Sequence, residues 1–354
     1  MNLSEPVLGR PASWDDWLTN AGCDLHWQFG QPVSLSRQPL APDATYIFSP
    51  FRGWFDYLAH ELRGQSRPWS ARLVGLLAWV ARLLGFERMG VIGAGPVSTS
   101  LHQPSDFDAI LAATRQSVQR DPSRTFAIRN LTTVHHAPLM QALAGLGFVR
   151  LPSRVVYEFD GRPNQQQAAG LKTPSHLARD LKQLDKSGLR VCRPKTISME
   201  QAGKLRQLYQ RIYLDKYSPL NAQYTDRFFF DVVNTGVMRL VTLEAAGEWM
   251  GFALLMQVGE QASVPALGYS TDCEALGGYR LVFAAIFRET VLQGLLLNYS
   301  SGAGDFKRKR GATPVLEYTM VRAPTGARLL SWLLAMAERV AVRLKAEDLM
   351  ARGA

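Results

Sequence analysis

The chain has 354 residues, 47 % hydrophobic and 20 % charged, with 40 Lys plus Arg against 30 Asp plus Glu and a formal net charge of +10. Such a length suggests two domains, and such a composition a globular protein with large cores rather than a disordered or fibrous chain. Three scattered cysteines (Cys23, Cys192, Cys273), none in a CxxC pair, argue against a disulfide framework or structural zinc, and the six histidines show no ligand spacing. No metal is therefore expected. The basic excess points to a polyanionic partner or an anionic substrate.

The first residues lack the basic and apolar blocks of a secretory signal, so the chain is expected to be cytoplasmic. Residues 1–40 read as an N-terminal extension carrying Trp14, Trp17 and Trp27. A first domain, 41–165, should open with a strand at 44–49 and continue with helices near 53–64, 70–85 and 105–119. The stretch 71–86 is interrupted by Arg72 and Arg82 and is too short to span a bilayer. A core-packing helix is its commoner meaning, and a basic amphipathic helix on a membrane surface is the alternative. A strand at 125–131, a helix at 137–147 with Pro138 near its start and Gly147 past its end, and a strand at 154–160 complete this half.

Between these elements, "GVIGAGPVST" (90–99) imitates the phosphate-binding turn of dinucleotide enzymes. The imitation fails in context. Ser98 stands where the third small residue belongs, Pro104 and its polar neighbours prevent a clean following helix, and no acid ends a second strand about twenty residues on. A strand end followed by a loop is the better reading.

A polar linker and helix, 166–195, come next. Thr173 can cap this helix with Pro174 in its first turn and Gly188 after its end. Leu177, Leu181 and Leu184 form its apolar stripe, while Arg179, Lys182 and Lys186 share a basic face. That face is solvated surface unless a phosphate-bearing ligand lies beside it. The second domain, 196–354, repeats the rhythm: helices at 198–217 and 226–236, strands at 238–245, 248–259 and 262–271, and a helix at 277–294. A strand at 295–301, a glycine-rich basic loop, a strand at 315–323 and a long terminal helix follow. An antiparallel meander, then helix, strand and strand, is an α+β pattern.

The segment "LNYSSGAGDFKRKRGATPVLEYTMV" (297–321) resembles the FemAB-like branch of the GNAT acyltransferases, which carry two tandem GNAT-like domains. The shared features are an apolar helix, a strand, a loop with Gly302 and Gly304, the aromatic–lysine pair Phe306–Lys307, and a last strand. "IGAGPVSTS" and "SHLARDLKQLDKSGLRV" extend the resemblance over most of residues 45–325. It implies two mixed, mostly antiparallel sheets flanked by helices, and an acyltransferase. Members of the family use either acyl-coenzyme A or aminoacyl-tRNA as donor.

The GNAT coenzyme A loop matches "DCEALGGYR" (272–280) only in part. Gly277 and Gly278 are present, but Glu274 replaces the expected Arg or Gln, and a carboxylate beside a pyrophosphate is unfavourable. Aminoacyl-tRNA is therefore the favoured donor, with no tightly bound cofactor, and acyl-coenzyme A the alternative. The expected acceptor is a small amine or peptide. In this resemblance Lys307 is the catalytic cation beside the departing ribose oxygen. Phe306 stacks on the terminal adenine, and Arg308, Lys309 and Arg310 contact phosphate. Asp305 either orients Lys307 or turns the loop. Asp215, Lys216, Tyr217 and Asn221 occupy the loop where GNAT folds place the acceptor, with Tyr269 and Tyr318 as candidate proton shuttles. A further class remains open: a non-catalytic binder of nucleic acid or anionic membrane on a GNAT scaffold.

Overall fold

The computed structural model describes residues 11–64, 66, 68–163 and 174–353, which form two compact units. The amino-terminal unit takes residues up to Arg154, Ser218–Gln223, and everything from Leu316 onward. The carboxyl-terminal unit takes Val155–Tyr217 and Tyr224–Val315. In this division the last strand and the terminal helix go with the amino-terminal unit, whereas the sequence places them in a domain over 196–354 after a linker and basic helix at 166–195.

In that unit β1 (Cys23–Gln28) and β2 (Gln31–Ser36) form an antiparallel hairpin, and β2 pairs antiparallel with β3 (Met89–Ile92). β3 runs parallel to β4 (Thr125–Thr132), a pairing that needs a crossover. The helix α3 (Phe107–Arg120) provides it. β4 pairs antiparallel with the end of β11 (Thr313–Arg322). Around this sheet lie a π-helical turn, Arg52–Tyr57, leading into α1 (Leu58–Gly64), then α2 (Pro68–Leu83), α4 (Ala137–Gly145) and the terminal α11 (Arg328–Gly353). Gly90 is required here: a Cβ would meet the Phe126 ring at 2.6 Å.

One expectation changes in this unit. Residues 44–49 are turns, not a strand. Their amides bond irregular partners (Thr45 N–H to the Asn20 carbonyl, Tyr46 N–H to that of Leu220) while Ile47 and Phe48 are buried. The apolar run is a buried loop. The described part of the N-terminal extension is structural: Trp14 is buried, stacks on Phe48 at 5.3 Å and donates its indole N–H to Ser34 Oγ at 2.8 Å.

The carboxyl-terminal unit holds β5 (Val149–Asp160, from Val155), β10 (Leu296–Asn298), β9 (Gln261–Tyr269), β8 (Glu248–Val258), β7 (Arg239–Ala245) and β6 (Arg190–Cys192) in that spatial order. Among the described residues of this unit, the β10–β9 pairing is parallel and the others are antiparallel. Ala246 and Gly247, with φ of 50° and 82°, make the tight β7–β8 turn that a two-residue hairpin demands. The helices are α5 (Ser175–Lys186), α6 (Met199–Tyr213), α7 (Asp226–Asn234), α8 (Thr271–Ala275), α9 (Gly278–Glu289) and the single turn α10 (Gly304–Arg308). Every residue of α9 from Leu281 to Phe287 is buried, as expected of a helix apolar on all sides. The proposed Thr173 cap lies outside the described residues.

Each unit is thus a mixed, mostly antiparallel sheet with helices about it, as the α+β expectation required. The run 90–99 is indeed a strand end, with Gly93 at φ 75°, followed by a loop.

Candidate functional site

The loop after β10 is built by left-handed backbone. Ser300, Gly302 and Ala303 have φ of 56°, 77° and 47°, and Asn298 Oδ1 accepts the Ser300 N–H at 3.0 Å. These turns swing three successive carbonyls toward one point. Lys307, reaching back from α10, donates from Nζ to the carbonyls of Tyr299 (2.7 Å), Ser300 (3.1 Å) and Ser301 (2.9 Å). The rings of Tyr157 and Tyr299 lie 5.3 and 4.9 Å from the same nitrogen. Lys307 is 2 % exposed. A buried ammonium is tolerated only with such partners, and convergent carbonyls plus aromatic faces supply them. Gly304 is needed for the approach, since a Cβ there would lie 2.1 Å from the Tyr157 hydroxyl.

The residues beside Lys307 have different fates. Arg308 pairs with Asp305 and donates to the Tyr157 hydroxyl at 3.2 Å. Asp305 therefore orients the arginine rather than Lys307. Lys309 is exposed. Arg310 overturns the expectation of a phosphate contact: it is buried, ion-paired with buried Asp180 of α5, and donates to the Phe306 carbonyl at 2.9 Å. Its guanidinium also sits 3.4 Å from the Phe306 ring centroid. Tyr279 and Phe283 flank that ring at 4.9 and 5.2 Å, so one face of Phe306 is already taken by protein. Arg179, Lys182 and Lys186 are exposed on the other side of α5.

Gly277 and Gly278 form a closed turn. Gly277 has φ 88° and its N–H donates to the Glu274 carbonyl, while Gln183 Nε2 bonds the Leu276 carbonyl at 2.8 Å. Glu274 itself is held by Arg211, with the Lys216 ammonium 4.0 Å away. A Cβ on Gly278 would meet the Tyr269 ring at 2.9 Å, so close packing accounts for this glycine without a ligand. With one cradle N–H committed and a carboxylate adjacent, the turn fits a coenzyme A pyrophosphate poorly.

The acceptor candidates divide. Asp215, Lys216 and Tyr217 are exposed in the carboxyl-terminal unit. Asn221 is buried in the amino-terminal unit, where its amide donates to the Ser218 carbonyl at 3.1 Å and its own carbonyl accepts from Asn20 at 2.9 Å. Tyr269 and Tyr318 are buried, one in each unit, and burial raises both phenol pKa values, which disfavours their acting as bases near neutral pH.

The amino-terminal unit contains a polar cluster that sequence reasoning missed. Arg154 donates to Glu317 (2.8 Å), to the Ser98 carbonyl (2.8 Å) and to Thr99 Oγ1 (2.9 Å). Asn130, left-handed at φ 60°, clamps the same loop through the Ser100 N–H and the Ser98 carbonyl. Arg129 is buried, donates to the Ile47 carbonyl at 2.5 Å, and among the described residues bonds no carboxylate. Burial, reinforced by Arg154, pushes its pKa down to about 10. His136 accepts the Thr132 N–H on Nδ1 at 3.0 Å, so its Nε2 carries the hydrogen and donates to the His102 carbonyl at 3.2 Å. Burial and the neighbouring His102 hold it neutral, with its pKa pushed down to about 3. Charged residues inside apolar strands ("TFAIRNL", "VLEYTMV"), and Asp180 inside the Leu177–Leu184 stripe, were the available signals. Among the described residues no cluster of His, Cys, Asp or Glu could hold a metal ion.

No protein-family model and no curated protein matches the sequence. Solved structures do. The L-PGS structure from Bacillus licheniformis superimposes over 95 % of this chain and 94 % of its own, at 11 % identity and TM-score 0.54. The C-terminal domain of a protein assigned as a lysylphosphatidylglycerol synthetase from Agrobacterium fabrum does so over 88 % and 86 %, at 12 % identity and TM-score 0.52. FemX is a more distant neighbour, with TM-score 0.44 and 10 % identity over 61 % of this chain and 77 % of its own. The chain therefore shares the fold of the two lysylphosphatidylglycerol synthetase structures.

Proposed function

We propose that this protein is an acyltransferase that moves an aminoacyl group from aminoacyl-tRNA to a small amine or peptide acceptor. The observation that carries the reading is the buried Lys307 ammonium, held by three carbonyls in the loop of the aromatic–lysine pair. It is supported by a fold likeness, along nearly the whole chain, to proteins whose names describe a lysyl-lipid product.

In the reaction, the acceptor nitrogen attacks the ester carbonyl, a C–N bond forms, and the C–O bond to the ribose breaks. The amine proton leaves with the ribose oxygen. Because the ester is already activated, orientation can supply most of the acceleration, with effective molarities on the order of 10⁵ M. Negative charge still develops on the carbonyl and ribose oxygens, and a fixed cation nearby stabilises it. The hydrogens of Lys307 are directed at carbonyls, so it acts through its charge and by fixing the loop rather than by donating directly. Exposed Lys309, Arg179, Lys182 and Lys186 are the candidates we assign to RNA phosphate, a role that Arg310, buried with Asp180, does not share. The cytoplasm is where such a donor is found.

Coenzyme A is the second reading, and the closed Gly277–Gly278 turn disfavours it. Filter binding of charged and uncharged tRNA, with and without excess acetyl-coenzyme A, tests the choice. Retention that depends on charging and survives competition supports the reading. Retention indifferent to charging supports a nucleic-acid binder, and binding of coenzyme A alone contradicts the reading.

A further inference from the structure

Helix α2 is packed inside out. Its buried positions are the small residues Ala71 and Ala78, at 3 % and 2 % exposure. Its large apolar residues face away: Trp69, Leu73, Leu76, Val80 and Leu83 recur at i, i+4, i+7, i+11 and i+14, all on one stripe and all exposed. Trp69 is 77 % exposed and Trp79, beside the stripe, 57 %. The terminal helix α11 packs leucines inward but also exposes large apolar residues. It buries Leu330 and Leu334 in the same core cluster that receives Ala78, and exposes Trp332, Met336 and Val340.

A core-packing amphipathic helix does the opposite, and single-chain soluble proteins rarely leave so many large apolar groups on one face. The charges say what covers them. Within Pro68–Leu83 there are two arginines and no acid; Arg72 lies over the Trp69 ring at 5.0 Å, and Arg82 turns toward Asp56 and Glu87. Within residues 328–343 of α11, Arg328, Arg339 and Arg343 are exposed near the apolar residues, and the one acid of that stretch, Glu338, is paired with Arg150. Two copies of this face would bring like charges together, whereas an anionic surface complements them. No described helix is long and apolar enough to cross a membrane. A tryptophan-bearing apolar stripe with arginine at its margin is suited to lying in the interface.

We infer that the outward faces of α2 and α11 dock on an anionic phospholipid bilayer. The surface belongs to the amino-terminal unit, involves none of the residues in the Lys307 loop, and stands whether or not the chain transfers aminoacyl groups. Its test needs no donor. The full chain is floated with phosphatidylcholine vesicles with and without phosphatidylglycerol, beside the variant Trp69→Gln/Leu76→Gln/Trp332→Gln. These three side chains point outward, so the variant should keep the thermal midpoint of the parent.

The expected result is binding to phosphatidylglycerol vesicles that is weaker without the anionic lipid and falls at least about tenfold in the variant, each deep apolar anchor being worth a large factor in partition. Equal binding by parent and variant overturns the inference, as does absence of binding to either vesicle. Sedimentation of the parent alone covers the remaining case. Self-association that the variant abolishes, without vesicle binding, assigns the face to a second copy and also overturns it.

Discussion

The two units each hold an arginine–carboxylate pair, and the pairs differ. In the carboxyl-terminal unit Arg310 and Asp180 are both buried and balanced, and the arginine is stacked on Phe306. In the amino-terminal unit Glu317 faces Arg154, while Arg129 is buried nearby with no carboxylate bonded to it among the described residues. The first arrangement is a closed clamp that fixes α5 against the Lys307 loop. The second leaves Arg129 on a backbone carbonyl with no bonded carboxylate among the described residues, while Arg154 and Asn130 fix the loop after β3. Removing one partner of a buried pair strands the other charge, whereas an arginine with no bonded carboxylate has no such partner to lose.

The largest expected effect breaks the clamp. Asp180→Ala leaves Arg310 buried and unpaired and should cost about 3–5 kcal/mol, measurable by urea unfolding, with Asp180→Asn milder. A loss below about 1 kcal/mol would show that the pair is not the clamp described. Glu317→Gln should cost less, about 1.5–3 kcal/mol, because Arg154 keeps Ser98 and Thr99 as acceptors and is partly exposed. If it costs more than Asp180→Ala, the ranking of the two sites is reversed.

Acid should separate the units further. The pKa of His136 is lowered in the folded chain to about 3 from an ordinary value of 6.5, so the unfolded state binds the extra proton. Its contribution to stability is complete above the unfolded value and is lost as pH falls from 6.5 towards 3. Between pH 7 and pH 5 this should remove about 2 kcal/mol. Replacing His136 with Gln should flatten that part of the pH profile, and an unchanged slope would assign the loss elsewhere. The smallest effect concerns Lys309. Its removal should change stability by less than about 0.5 kcal/mol yet reduce the salt slope of tRNA binding by about one unit.

Much of the architecture was legible because it is periodic. The Leu177–Leu181–Leu184 stripe, the Ala246–Gly247 hairpin and the apolar α9 each announce themselves within a short window of sequence. Residues 44–49 did not, since a buried loop and a strand share an apolar signature and differ only in where distant backbone groups lie. The same limit governs the site. "KRKR" reads as one basic run, yet Lys307 and Arg310 turn inward while Lys309 turns out, and the partner that decides Arg310 is Asp180, well over a hundred residues away. Local composition reports charge; only tertiary structure reports its compensation.

Single-turnover transfer from a labelled aminoacyl-tRNA pool, comparing the parent with Lys307→Met and Lys307→Arg at saturating enzyme, tests the central claim most directly. The methionine variant should lose at least about tenfold in rate, less than the roughly hundredfold or more typical of removing a direct oxyanion donor, because Lys307 acts through its charge and the loop it fixes. The tRNA affinity should stay within a few-fold, and the arginine variant should partly recover the rate. Affinity falling in step with rate, or an undiminished rate without the ammonium, would contradict the claim.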